Sequence, residues 1–228
     1  DEGFTSHISD HCENVLFDQK KAVANDGAYN RYIQLANSNL QEPLGTFSDR
    51  YESNTVYGIS AYNKGSVFLS QLGYIIGKEN LDKTIRTYYD EFKFTHPTPN
   101  DFKRVAEKIS GIQLEWYLNY WTQTTKVIDY GVEAIDGNIV TLKRAGTLPM
   151  PVDARITYTD GSTEDFYIPL RMMYGSKPTE ATTLESWSWV APTYELKASK
   201  PVQSVEIDPS QLMADVDMSN NTMSKQKS

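Results

Sequence analysis

The period of the hydrophobic pattern changes once along these 228 residues, near Ile128, and that change fixes the class of fold open to the chain. Before it, apolar side chains recur three and four positions apart, which puts them on one face of an α-helix. After it they alternate with polar ones, as in a strand with one buried face. Helices followed by strands predict an α+β chain whose two kinds of structure are segregated in sequence. The expected divisions are residues 1–128, helical, residues 129–218, a β-sandwich, and residues 219–228, a polar tail expected to be disordered.

In the first part, Phe4, Ile8, Cys12, Val15 and Leu16 share one face of a helix from Gly3 to about Phe17. A second helix is expected over about Gln19–Ala36. Asn37–Asn54 is rich in Asn, Ser, Gly, Pro and acids and reads as a loop, of a length that often accompanies function. From Tyr62 a central helix carries Val67, Phe68, Leu72, Ile75 and Ile76 inward, and Gly77 ends it. Glu79–Phe92 follows, with Leu81, Ile85, Tyr88, Tyr89 and Phe92 as its stripe, and His96-Pro97-Thr98-Pro99 breaks it. Thr98 or Asn100 caps the next helix, with Phe102, Val105, Ala106 and Ile109 on one face and Ser110-Gly111 at its end. Ile112–Trp121 is the last helix, and its aromatic cluster reads as core.

Beyond Ile128, Val152, Ala154, Ile156 and Tyr158 alternate with polar residues up to Asp160-Gly161, a hairpin signal. Phe166, Ile168 and Leu170 alternate on the return strand. Asp136-Gly137 predicts a second hairpin, from Tyr130–Ala134 into Ile139–Leu142. Further short strands are expected around Trp187, Trp189, Tyr194–Leu196 and Val205–Ile207. Several short strands joined by turns predict a sandwich.

Composition narrows the function. The net charge is −8 and no Lys/Arg cluster forms a basic face, which argues against a nucleic-acid partner. No apolar run approaches the roughly 18 residues of a membrane helix, so no membrane span is expected. A single cysteine, Cys12, excludes an internal disulfide framework and a cysteine-rich zinc site, and reads as a small buried hydrophobe. His7 and His11 have the i, i+4 spacing of zinc-binding helices, but Ile8 stands where the general-base glutamate would follow the first histidine. Both are read as surface histidines.

The stretch Val56–Leu72 is unusual at its start. Tyr57 and Tyr62 bracket Gly58-Ile59-Ser60-Ala61, read as a turn, and Lys64-Gly65 follows at once. Glycine costs a helix about 1 kcal/mol, so a purely structural helix gains little from it there. A helix that presents a phenol at its mouth, with backbone packed close behind, needs both residue types.

This Y-x-K-G-x-x-x-L pattern, with a second tyrosine five residues before the first, resembles the aminopeptidase N family of zinc metallopeptidases, the gluzincins that include leukotriene hydrolase. Asp1-Glu2-Gly3-Phe4-Thr5 is similar to the family's [N/D]-E-G-[F/H]-[A/T] segment. The resemblance implies the helical lobe of a thermolysin-like catalytic domain followed by a small β-sandwich. It implies Glu2 as the third zinc ligand and Tyr62 as the catalytic donor of a hydrogen bond to the oxyanion of the tetrahedral intermediate. Tyr57 stays open between substrate binding, support of Tyr62 and core packing. Lys64 is left between pairing with an acid and facing solvent.

The family's H-E-x-x-H helix, with the general base and two histidine ligands, lies upstream of the Glu2 position, as does its G-x-M-E-N-type segment. The chain is therefore expected to be the C-terminal part of a longer zinc aminopeptidase acting on peptides. Its partner would be the missing N-terminal part of the same protein, and alone it is expected to be inactive and to hold no zinc tightly. The other reading is a degenerate family member in which lobe and sandwich form a non-catalytic binding module. The presence or absence of H-E-x-x-H upstream separates the two. The sequence carries no indication of compartment.

Overall fold

The computed structural model describes residues 1–225. The chain divides into two compact units, the first Asp1–Lys126 and the second starting at Val127.

The first unit is helical. Its elements are α1 (Glu2–Leu16), α2 (Asp26–Ala36), α3 (Asn54–Gly58), a π-helical segment (Ile59–Lys64), α4 (Gly65–Ile76), α5 (Lys78–Phe92), α6 (Pro99–Ser110) and α7 (Glu115–Gln123). A short 3₁₀ turn, Ser48–Arg50, lies in the long loop before α3. The terminators act as local chemistry requires: Gly77 ends α4 at φ 90°, and Gly111 ends α6 in the left-handed conformation at φ 70°. Thr98 and Asp101 form a capping box at the start of α6, behind Pro99 at the first helical position. The core is α4, whose Val67, Leu69, Leu72, Ile75 and Ile76 are buried, closed by Tyr32 of α2 and by Tyr117 and Trp121 of α7. Phe4, Tyr88 and Phe102 join α1, α5 and α6 through ring contacts.

Several expectations are corrected here. Of the apolar stripe of α1 only Phe4 packs inward: Ile8, Val15 and Leu16 are exposed, as is Cys12, and the buried residue of the helix is His7. The reason is close approach. Gly3 packs on the backbone of Gly65, and His7 Nδ1 lies 3.4 Å from Ser70 Oγ, so α1 meets α4 through small and polar groups. The second helix starts at Asp26 rather than near Gln19, because Asp18 and Lys20 take positive φ and break it. Gly58–Ala61 is helical rather than a turn, with Gly58 at φ −59° and ψ −46°. The last helix begins at Glu115, and Ile112 and Leu114 before it are nonetheless buried.

The second unit holds β1 (Tyr130–Asp136), β2 (Ile139–Arg144), β3 (Val152–Tyr158), β4 (Thr163–Ile168), β5 (Thr182–Thr183), β6 (Thr193–Lys197), β7 (Val202–Ile207) and β8 (Thr222–Ser224). They form two sheets, of order β1-β2-β6 and β5-β4-β3-β7-β8. β1 lies against β7 and β8, so the two small sheets pack against each other. Both hairpins form where the Asp-Gly pairs stand: Asp136 pairs with Ile139, and Thr157 with Thr163. Gly137 at φ 60° and Gly161 at φ 83° supply the positive φ of each turn. Val152, Ala154, Ile156 and Tyr158 are all buried, as their alternation requires. The tail expected to be disordered is ordered over residues 219–225. β8 pairs with β7, and Asn220 Nδ2 donates to Asp129 Oδ1 at 2.9 Å. Backbone pairing to an open sheet edge orders a polar segment that has no core residues of its own. The remainder of that tail, residues 226–228, lies outside the described residues.

Candidate active site

Glu2 and Tyr62 belong to different helices, and two glycines bring those helices together. A Cβ added at Gly3 would lie 2.6 Å from the Gly65 carbonyl carbon and 2.7 Å from its Cα, and one added at Gly65 would lie 2.9 Å from Gly3 Cα. Backbone touches backbone, which any side chain at either position would prevent. Gly3 follows Glu2 directly, and Gly65 closes the π-helical segment that carries Tyr62. Each glycine thus serves the other motif.

The π segment arranges the second motif. The Gly65 N–H bonds back to the Ser60 carbonyl, five residues earlier, in place of the α-helical four. One residue is added within a turn, so Ser60 and Lys64 point into the core while Tyr62 stands out, 46% exposed. Such single-turn π segments are concentrated at functional sites. The Tyr62 hydroxyl has no hydrogen-bond partner among the described residues, which leaves it free to donate. Tyr57, half-buried on α3, packs edge-on against Tyr51, with ring centroids 5.5 Å apart. The Ser53 hydroxyl caps α3 by accepting from the Val56 N–H at 3.1 Å.

Glu2 sits in the first turn of α1, where the helix dipole favours a carboxylate. Its Oε2 lies 3.6 Å from the α-amino group of Asp1, and it makes no other ion pair among the described residues. Its carboxylate is thus available to a cation. Among the described residues no group of three or more His, Cys, Asp and Glu could by itself hold a metal ion.

The two histidines are not surface groups of one kind. Burial, together with the nearby charge of His11, lowers the pKa of His7 to about 4, so it is neutral at pH 7. His11 Nδ1 donates to the His7 carbonyl at 2.8 Å. A shallow depression of about 570 Å³ opens between α1 and the start of α2, lined among others by Thr5, Ser9, Asp10, Arg31 and Asn63, but none of Glu2, Tyr57 and Tyr62 lines it.

Lys64 meets neither expectation. It is 1% exposed and has no ion pair among the described residues; its Nζ donates to Gln41 Oε1 at 2.9 Å. Burial with no carboxylate beside it lowers its pKa to about 8. Sequence reasoning missed this because nothing local distinguishes a buried lysine from a solvated one.

Residues 1–121 match the Peptidase family M1 domain, which is more than half of the chain. The chain belongs to peptidase family M1. Among curated proteins it is 28% identical over 145 residues to aminopeptidase B of Rattus norvegicus, and 23% identical over 103 residues to aminopeptidase N of Escherichia coli K12. These alignments cover 60% and 43% of this chain but 20% and 12% of those proteins, so the chain spans about one fifth of the length of aminopeptidase B. Among solved structures, an aminopeptidase A of Legionella pneumophila in complex with aspartic acid matches 94% of this chain and 23% of its own, with a TM-score of 0.52 at 15% identity. That likeness shows the fold, helices followed by small sheets. The M1 match covers both motifs, the Glu2 segment and the Tyr62 segment.

Proposed function

We propose that this chain is the C-terminal part of a zinc-dependent aminopeptidase, with Glu2 a zinc ligand, Tyr62 the oxyanion donor, and the general base and remaining ligands contributed by the N-terminal part of the same protein. The observation that carries the reading is the backbone contact of Gly3 with Gly65, which brings together the two helices that the M1 motifs mark. A purely structural pair of helices has no need of a glutamate and a free phenol beside such a contact.

When bound, zinc polarises the scissile carbonyl and acidifies a water. The residues of this chain do the rest of its share. Glu2 holds one position with a carboxylate whose one ion pair among the described residues is to the α-amino group of Asp1. Tyr62, held out from the π segment, donates its hydroxyl proton to the carbonyl oxygen as that oxygen becomes negative. The contact is stronger in the transition state than in the ground state, so it accelerates the chemical step. Tyr57, which packs edge-on against Tyr51, would on this reading line the substrate path or support Tyr62, with core packing as the alternative. On this reading the general base lies in the N-terminal part, and the chain alone is expected to be inactive.

Zinc content of the longer protein tests the reading. One tightly bound zinc per chain is expected, and Glu2→Ala should weaken it by more than the roughly 10–100-fold that losing an outer-shell partner costs. Unchanged affinity in Glu2→Ala refutes the ligand role. Absence of H-E-x-x-H upstream would leave the non-catalytic binding module as the reading.

A further inference from the structure

We propose that Lys64 is a positioning residue: through Gln41, its buried ammonium locks the long loop onto the π-helical segment and so holds the Tyr62 hydroxyl in its working position. The proposal rests on the oxyanion role given to Tyr62 above.

A buried lysine with one neutral partner is not kept for stability. Taking an ammonium out of water is costly unless it is paired, and an apolar side chain of similar length would fill the same space without that cost. What Lys64 gains in return is a fixed partner. The amide of Gln41 is oriented at both ends: its Oε1 accepts from Lys64 Nζ at 2.9 Å, and its Nε2 donates to the Thr125 carbonyl at 3.0 Å. Gln41 lies in the segment that runs from α2 to α3, so this bridge ties the π segment, the loop and the chain just beyond α7 at one point.

The rest of the loop is braced in the same direction. The Gly45 N–H donates to the Thr122 carbonyl at 2.7 Å, and a Cβ at Gly45 would meet Gln123 Nε2 at 2.9 Å. The Tyr51 hydroxyl donates to the Pro43 carbonyl at 3.1 Å, and its ring packs on Tyr57. Without the Lys64 bridge, Gln41 would lose its hydrogen bond to the segment that carries Tyr62. The depressed pKa of Lys64 agrees with a hydrogen bond to a neutral amide rather than an ion pair.

The test uses the longer, zinc-loaded protein and four variants: Lys64→Met, Gln41→Leu, the two combined, and Tyr62→Phe. Steady-state kinetics on an aminoacyl reporter substrate and thermal unfolding are measured on each. Each single clamp variant is expected to lower kcat by roughly tenfold with KM changed by less than about twofold, the scale of one lost hydrogen bond to a charged group. The double variant should lose no more than the worse single one, because both changes open the same bridge. Tm should hold or rise in Lys64→Met, which a merely structural role would not combine with a lower kcat. Normal kcat in folded Lys64→Met and Gln41→Leu, or losses that multiply in the double variant, overturns the proposal. If Lys64→Met does not fold, Gln41→Leu decides alone. A near-normal kcat in Tyr62→Phe would overturn the oxyanion role itself, an outcome distinct from failure of the clamp.

Discussion

Gly65→Ala and Gly58→Ala are the same substitution in one continuous helical segment, and the structure assigns them opposite effects. Gly58 has helical dihedrals, and nothing lies within 4 Å of its added Cβ. Alanine there removes a glycine from a helix and restricts the unfolded chain, a gain of about 0.5–1 kcal/mol. Gly65 is equally helical, at φ −65° and ψ −39°, so it offers alanine the same gain. Its added Cβ, however, lies 2.9 Å from Gly3 Cα and 3.5 Å from Gly3 N, and both atoms are backbone. No side chain can swing aside, so α1 must move away by about half an ångström to reach ordinary contact. Overpacking of this kind costs about 1–3 kcal/mol. Since the propensity gain is common to both variants, the difference between them isolates the clash: Gly65→Ala should be less stable than Gly58→Ala by about 1–3 kcal/mol. Urea unfolding followed by circular dichroism at a helix band measures that difference. Equal stabilities of the two variants would refute the close crossing of α1 on the π segment, and with it the reason the two motifs belong to one site.

Two buried titratable groups give the two units opposite responses to pH. His7 in the first unit titrates near 4 when folded and near 6.5 when unfolded, so the unfolded chain binds more protons between those values and stability is lost as pH falls from about 6.5 to 4. His7→Gln should flatten that loss in helix-band unfolding. Asp215 in the second unit accepts from the Tyr130 and Asp217 N–H groups, yet burial raises its pKa to about 6. The folded state then binds the extra proton, so its contribution falls as pH rises from about 4 to 6, and Asp215→Asn should remove that fall when unfolding is followed at Trp187. The chain alone should bind no zinc stoichiometrically and tightly; a calorimetric titration showing one tight zinc, lost in His7→Ala with His11→Ala, would contradict this.

What the sequence made legible was what is decided locally. Gly77 and Gly111 end helices because few other residues take a positive φ cheaply, and Asp136-Gly137 and Asp160-Gly161 turn hairpins for the same reason. Strand β3 was legible because its period of two has one register that buries Val152, Ala154, Ile156 and Tyr158. What escaped was decided by partners distant in sequence. The stripe of Phe4, Ile8, Cys12, Val15 and Leu16 marked a helix correctly but only Phe4 of it packs inward, because Gly3 and His7 meet Gly65 and Ser70. Strand β8 was missed because it is ordered by the edge of β7 rather than by its own side chains. At the site, Glu2 and Tyr62 were singled out through motifs, whereas the partner of buried Lys64 is Gln41, 23 residues away along the chain. The π segment escaped because nothing in its residues specifies the bond from the Gly65 N–H to the Ser60 carbonyl, and Gly58–Ala61 read as a turn.

The central claim, that Tyr62 donates to a developing oxyanion, is tested most directly by the kinetics of Tyr62→Phe in the longer, zinc-loaded protein, with Tyr57→Phe as control. The ring and its packing survive the change, so unfolding should be unaltered, and only a transition-state contact is lost. The account predicts that kcat and kcat/KM fall together by roughly 10²–10³-fold, with a much smaller effect in Tyr57→Phe. A Tyr62→Phe enzyme with near-normal kcat would contradict it.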